Sequence, residues 1–235
     1  VVAPKTGSSQ LRVGKIIQAS DGKLWFGTNE GVLCYDGSSW TLTSAGSGSQ
    51  LIEASDGSIW AHRKDEVSRF DGHSWTSYST SEVGFSVPFI SGCWPTDDGT
   101  VWVSGLNEIS RFRDGKWFSY PRFERERVLG AINGKQVSQG VIWLWSEKYG
   151  GEIAFRLRSD RNVTYFSHSD SLMVGPVGPD GSVWFHTPST VVRLFEDVWL
   201  RHTPEDGAID GRVRSLVRSQ DGSIWAVGEH QDMGA

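Results

Sequence analysis

Between residues 13 and 43 the apolar residues come in four short runs, VGKIIQ, LWFG, VLCY and WTLT, separated by turn residues that include Asp21-Gly22, Asn29 to Gly31 and Asp36-Gly37. Runs of this length between turn residues read as β-strands. Asp21-Gly22 joins the first run to the second and Asp36-Gly37 the third to the fourth. Asp-Gly tolerates the positive φ angles of a type I′ hairpin, so the stretch predicts two hairpins in one four-stranded antiparallel meander. Almost the same string returns at once: ASDGKLWFGTNEGVLCYDGSSW at 19–40 is followed by ASDGSIWAHRKDEVSRFDGHSW at 54–75.

A fixed period of this size decides the architecture. Anchored on the Trp after each first turn, the copies fall at Trp25, Trp60, Trp102, Trp143, Trp184 and Trp225, spaced by 35, 42, 41, 41 and 41 residues. The six repeats lie near 13–49, 50–90, 91–128, 129–170, 171–211 and 212–235. Asp-Gly precedes the Trp in five of them, and the fourth has Gln139-Gly140 instead. A second Trp follows 15 residues on at Trp40, Trp75, Trp117 and Trp199, where the fourth copy has Arg158. Both neighbours of the first Trp are apolar throughout: Leu24 and Phe26, Ile59 and Ala61, Val101 and Val103, Ile142 and Leu144, Val183 and Phe185, Ile224 and Ala226. A strand apolar on both faces, inside an antiparallel meander, fits sheets stacked face to face around an axis. The expectation is an all-β chain forming a single β-propeller domain over 1–235. It would hold about six four-stranded blades, the last incomplete, as a piece of a longer protein.

Composition sharpens this picture. Twelve Trp and 28 Gly beside two Met in 235 residues suit a β-rich fold. The net charge of −5 comes without a basic stripe, which excludes a phosphate-backbone binder, and no apolar run is long enough to insert in a membrane. Cys34 and Cys93 stand at non-equivalent repeat positions, so no disulfide is expected. Nucleophile-elbow, His-Glu-x-x-His and paired-cysteine zinc patterns are absent. No catalytic residue, metal ligand or cofactor is expected.

The string ASDGxhWhGTxxGhxxYDGxxW, with h apolar, resembles the two-component regulator propeller repeat of extracytoplasmic sensor regions in bacterial hybrid histidine kinases and related receptors. The resemblance runs from 13 to 229 and is poorest in the fourth copy, which carries the insertion KYGGE. It implies a periplasmic or extracellular sensor of a small-molecule ligand such as an oligosaccharide. It also implies no catalysis by the propeller itself and a homodimer formed through flanking regions. A more distant similarity, carried by DGxhWh, is to streptogramin lyase propellers. It would make His62, His186, His202 or His230 candidate acids or bases, although the lyase ligands find no residue-by-residue match. A protein-interaction scaffold is the third reading and expects an exposed apolar patch.

Both Asp-Gly turns of a meander fall on one edge of a blade, so the longer, variable connections gather on the other. Binding residues concentrate on variable loops held by a rigid scaffold. Near the loop end of the second strand the copies differ, reading Gly27, His62, Ser104, Trp145, His186 and Val227, then Thr28, Arg63, Gly105, Ser146, Thr187 and Gly228. The adjoining loops add Lys64, Asn107, Glu108 and Tyr149. The expected ligand site therefore has Trp145 and Tyr149 as stacking surfaces and Arg63 and Lys64 as charged contacts. His62, Asn107 and His186 are its hydrogen-bond partners. The lattice tryptophans are expected to be packing, and so is Trp94, which aligns with Ile17 and Ile52.

Overall fold

The computed structural model describes residues 11–43, 50–106, 108–120, 132–138, 141–146, 153–158, 163–167, 173–196 and 198–230. Between 132 and 167 the description is of backbone. The chain divides into two compact units, 1–133 and 134–235.

The first unit holds three four-stranded antiparallel meanders, each occupying one copy of the repeat. They are β1 (Val13–Gln18), β2 (Leu24–Thr28), β3 (Val32–Tyr35) and β4 (Trp40–Thr43); β5 (Gln50–Glu53), β6 (Ile59–His62), β7 (Glu66–Phe70) and β8 (Trp75–Ser79); and, after a single-turn helix over Thr80–Val83, β9 (Ile90–Pro95), β10 (Val101–Gly105), β11 (Ile109–Arg113) and β12 (Lys116–Ser119). The strand order in each is sequential. First strands of successive sheets lie against one another, β1 on β5 and β5 on β9, so the sheets radiate from their first strands.

The second unit has two further meanders and a hairpin. These are β13 (Ile132–Ser138), β14 (Val141–Ser146), β15 (Ile153–Arg158) and β16 (Val163–Ser167); β17 (Met173–Val177), β18 (Val183–Thr187), β19 (Thr190–Phe195) and β20 (Val198–His202); and β21 (Gly211–Arg218) with β22 (Ile224–His230). In the fourth copy the fifteen-residue count lands on Arg158, the last residue of β15, because the connection from β14 to β15 is longer: Ile142 pairs with Leu157, fifteen residues on, where Ile59 pairs with Phe70, eleven on. The register pairs Leu157 with Val163 as Phe70 pairs with Trp75, so Val163 stands in the place of the outer Trp.

The Asp-Gly turns differ from the type I′ expectation for a clear reason. At the first, Gly22 donates to the Ala19 carbonyl and Ala19 to the Lys23 carbonyl, both at 2.8 Å. Gly22 has φ of 85°, whereas Asp21 is not among the residues with positive φ. The turn is thus of the type I hand, followed by a left-handed glycine. Asp acts as an acceptor: its Oδ1 takes the N–H two residues on, Lys23 at 3.0 Å, Ser58 at 2.9, Thr100 at 3.1, Ser182 at 3.0 and Ser223 at 2.9. The two-residue I′ turn does occur at Asp114-Gly115, with φ of 50° and 74°, between the paired Arg113 and Lys116.

From this turn a polar relay enters the core. Ser58 Oγ donates to Asp56 at 2.5 Å and accepts from the Trp60 indole N–H at 2.9 Å. Ser182 and Ser223 accept from Trp184 and Trp225 at 3.0 and 2.9 Å. The Ser-x-Trp spacing therefore satisfies a donor that burial would otherwise leave unpaired. The first copy has Lys23 at the serine position, and the buried Trp25 Nε1 has no partner.

In the first unit the inner Trp is then packed from several sides. Trp60, 1% exposed, stacks on Tyr78 of its own sheet at 6.5 Å. It meets Phe112 and Trp117 of the next sheet at 5.1 and 6.1 Å. Trp25 meets Phe70 and Trp75 of its next sheet at 5.3 and 6.1 Å. The Arg opposite in the third strand lies over the indole, Arg69 on Trp60 and Arg111 on Trp102. Arg69 also closes on Asp56 at 3.0 Å, tying the third strand to the turn. Trp94 pairs with Trp102 as Ile17 pairs with Trp25 and Ile52 with Trp60, so it holds the expected inner-strand position.

Lys23→Ser should supply the missing acceptor for Trp25 and stabilise the protein by about 1 kcal/mol, the usual net value of a buried hydrogen bond. Thermal denaturation should show the midpoint rising by about 2–4 °C for a chain of this size. Ser58→Ala should lower it by a similar amount. A Lys23→Ser midpoint unchanged or lower would contradict the relay.

Candidate functional site

The two edges of the sheets are built differently. On the Asp-Gly edge the first unit is knitted from sheet to sheet: the N–H and hydroxyl of Ser20 both bond Glu53 of the next sheet, at 2.8 and 2.5 Å. The opposite edge carries the turns after second strands. There Thr28, fully buried, bonds the Gly31 carbonyl at 2.7 Å and receives the Glu30 N–H at 3.1 Å. Gly31 sits at φ 144°, and a Cβ there would lie 1.9 Å from the Thr43 carbonyl oxygen, so only glycine fits. The Thr of the repeat's Gly-Thr pair is thus a turn residue.

His62 ends β6, and Arg63, Lys64 and Asp65 form the turn into β7. Arg63 is committed locally, with Nε 2.9 Å from Asp65 and a terminal nitrogen 3.5 Å from Glu66. Lys64 is exposed and forms no ion pair among the described residues, while its carbonyl accepts the Ile90 N–H at 2.6 Å and so anchors the next sheet. His62 is half-buried, and burial holds its imidazole below the ordinary range, opposed by the Arg63 backbone and reinforced by the charge of Lys15. Lys15, on β1, also acts on Cys93, whose thiol burial pushes far up. Lys15 is thus a positive charge felt by both His62 and Cys93. Sequence reasoning passed over it because it lies inside a strand and carries no repeat or turn signature.

Glu108, which the loop pattern assigned to the mouth, is 6% exposed and already spent. Its carboxylate accepts the Ser86 N–H at 3.0 and 3.1 Å, the Ser86 hydroxyl at 2.5 Å and the Val87 N–H at 3.4 Å. It closes the 84–89 loop beneath the edge. Ser104 is likewise buried, bonded to Ser91 at 2.9 Å. Asn107 and Tyr149 lie outside the described residues.

In the second unit, Trp145 lies in β14 opposite Ala154 in the backbone register. His186 lies in β18 between Met173 and Val191 and is 5% exposed, with Nδ1 unpartnered. Burial lowers its pKa, opposed by the Thr187 backbone. A cavity of about 210 Å³ opens beside β20, lined by Trp184, His202, Asp206, Leu216, Ile224 and Ala226 among others. His202 stacks on Trp184 at 4.8 Å, and its buried Nε2 lacks a partner. The predicted residues are therefore shared between the units, with His62, Arg63 and Lys64 contiguous in the first and Trp145 and His186 on strands of the second. Cys34 and Cys93 are free thiols, and no group of three or more His, Cys, Asp or Glu suited to a metal occurs among the described residues.

Residues 7–30 match the family model described as two component regulator propeller. Comparison with curated proteins finds no match. Among solved structures, the chain is similar to an extracellular domain assigned to a hybrid two component system of B. thetaiotaomicron, at 16% identity and a TM-score of 0.57, over 91% of this chain and 32% of that one. It is similar to another from the same organism, assigned to a one component system, at 16% identity and a TM-score of 0.52, over 94% and 37%. YCF48 bound to D1 peptide aligns at 12% identity and a TM-score of 0.57, over 97% of this chain and 79% of that one. The chain spans about a third of the length of the two extracellular domains. The fold is a β-propeller of four-stranded antiparallel blades, and the stretch similar to the two-component regulator propeller takes in β1 and β2.

Two outcomes follow for these buried groups. Glu108→Ala should strand three donors of the 84–89 loop and cost about 2–3 kcal/mol in urea unfolding, the range for hydrogen bonds to a charged group. A loss below about 0.5 kcal/mol would show the loop holds without it. His62 and His186 have folded pKa values below their unfolded ones, so the stability they confer is complete above the unfolded pKa near 6.5 and is lost as pH falls below it. The melting temperature should drop between pH 7.5 and 5.5, and His186→Gln should flatten that slope. An unchanged slope would show that His186 protonates freely in the folded protein.

Proposed function

We propose that this chain is part of the ligand-sensing, extracytoplasmic propeller of a bacterial signalling receptor, without catalysis of its own. The observation that carries the reading is the match of residues 7–30 to the two-component regulator propeller, in a chain whose fold is that of two bacterial extracellular domains assigned to one and two component systems. No helix among the described residues is long and apolar enough to cross a membrane. The periplasm or the cell exterior is the proposed location, and the output module and dimer contacts belong to flanking regions.

The ligand is a polar small molecule such as an oligosaccharide, bound at the loop edge. Support comes from the asymmetry of the edges: Ser20–Glu53 ties sheets together on one, whereas the exposed Lys64 stands on the other beside His62 and Arg63. The exposed Lys64, which forms no ion pair among the described residues, favours an acidic sugar. Asn107 of the first unit and, separately, Trp145 and Tyr149 of the second are the proposed ligand contacts, while the buried His186 serves the scaffold.

A thermal-shift screen of the chain against acidic and neutral oligosaccharides tests this, because a ligand that binds only the folded state raises its melting temperature. An acidic sugar should raise it, with the shift lost in Trp145→Ala and reduced in Lys64→Ala. No shift with any sugar, or shifts indifferent to both substitutions, would overturn the reading.

A further inference from the structure

The loop edge of the first unit carries a buried charge that the repeat does not call for. In each of its three sheets the turn after the second strand is closed by one backbone bond: the Thr28 N–H donates to the Gly31 carbonyl, Arg63 to Glu66 and Gly105 to Glu108. Gly31, Glu66 and Glu108 are therefore equivalent positions. Glycine fills the first, and the Glu66 carboxylate stays within its own sheet, on Arg63, Ser68 and Ser77. Of the three, only Glu108 reaches the connection that arrives from the preceding sheet, where it takes the Ser86 N–H and hydroxyl and the Val87 N–H. A buried carboxylate is costly unless it is fully hydrogen-bonded, so closing the turn does not by itself account for one here.

The connection it holds has little slack. Gly84, at φ 93°, turns the chain out of the single-turn helix, and the Phe85 N–H bonds the Thr80 carbonyl at 2.8 Å while its ring is buried. Ser86 and Val87 rest on Glu108. The Phe89 N–H bonds the Val87 carbonyl at 2.7 Å around Pro88, and the Ile90 N–H reaches the Lys64 carbonyl at 2.6 Å. Gly105 closes the underside, since a Cβ there would lie 2.7 Å from the Phe89 carbonyl oxygen and 3.0 Å from the Phe85 ring. Residues 84–90 are thus a strap joining the β10–β11 turn to the β6–β7 turn. Lys64 stands at its far end, exposed and without an ion pair among the described residues.

We infer that Glu108 is a positioning residue for Lys64, fixing through the 84–90 strap the peptide from which the lysine ammonium meets an anionic ligand. The inference rests on the proposed binding of an acidic sugar at this edge. An ammonium on a four-carbon stem is a mobile charge. Anchoring its peptide removes the backbone share of that freedom before the ligand arrives, which lowers the ordering cost of binding.

The strap is tested first without any sugar, by amide hydrogen exchange of the whole chain. In Glu108→Ala the Ile90 amide should exchange about tenfold faster, beyond any change shared by the core amide of Trp60. Gly105→Ala should do the same, because its added Cβ displaces the strap while leaving Glu108 and Lys64 in place. The probe for binding is trigalacturonate, followed by calorimetry well below the melting midpoint of each variant. Lys64→Ala should weaken it by about tenfold, the value of one hydrogen bond to a charged group. In the Glu108→Ala or Gly105→Ala background the same substitution should cost less than about twofold, the coupling that a double-mutant cycle reads and that loss of stability alone does not produce. An Ile90 amide unchanged in both variants overturns the strap. Trigalacturonate binding in which Lys64→Ala costs the same in every background overturns the positioning role alone and leaves Glu108 to the scaffold. No binding to the unaltered chain overturns that role together with the acidic-sugar reading beneath it.

Discussion

Everything in the first unit depends on how one indole per sheet is buried. A tryptophan in the second strand offers a large apolar face and one N–H, and both must be satisfied for the sheets to stack. For Trp60, Phe112 and Trp117 from the following sheet cover the face, and Ser58, two residues earlier in the turn, accepts the N–H. The serine is held by the turn aspartate, and the aspartate by an arginine from the third strand. Turn, strand pairing and sheet stacking therefore share a single network, which explains why Asp-Gly and Trp recur together.

Departures from the repeat show the same constraint at work. Lys23 in the serine position pairs with Asp21 instead, at 2.6 Å, and leaves the indole without its acceptor. At Asp114 the turn shortens to two residues and changes hand, so aspartate itself takes the left-handed conformation. At Val163, in register with the outer Trp of the other sheets, the aromatic is replaced by an aliphatic residue. Each change is local because the network closes within two adjacent sheets.

Function, in this reading, has been left the positions that the network does not use. One edge of each sheet is consumed by Asp-Gly turns and by bonds such as Ser20 to Glu53. The other varies in charge and length, and there Lys64 stands exposed while Glu108 and Ser104 have been drawn inward. The loop edge is therefore a mixture: some of its variable residues serve the scaffold, and only those left exposed and uncommitted can meet a ligand.

The fold was legible from the sequence because its causes are local and repeated. A period near 41 residues, Asp-Gly before an apolar-Trp pair and apolar residues on both sides of that Trp determine four-stranded sheets stacked face to face. The candidate site was legible only as an edge. That Glu108 closes the loop at Ser86 and that the Lys64 carbonyl holds the Ile90 N–H are contacts between residues far apart in sequence, which no spacing announces, and even the local ties of Arg63 to Asp65 and Glu66 depend on how the side chains turn. Local chemistry repeats along the chain and can be counted there, whereas side-chain exposure and pairing are set by which sheets come to lie against each other.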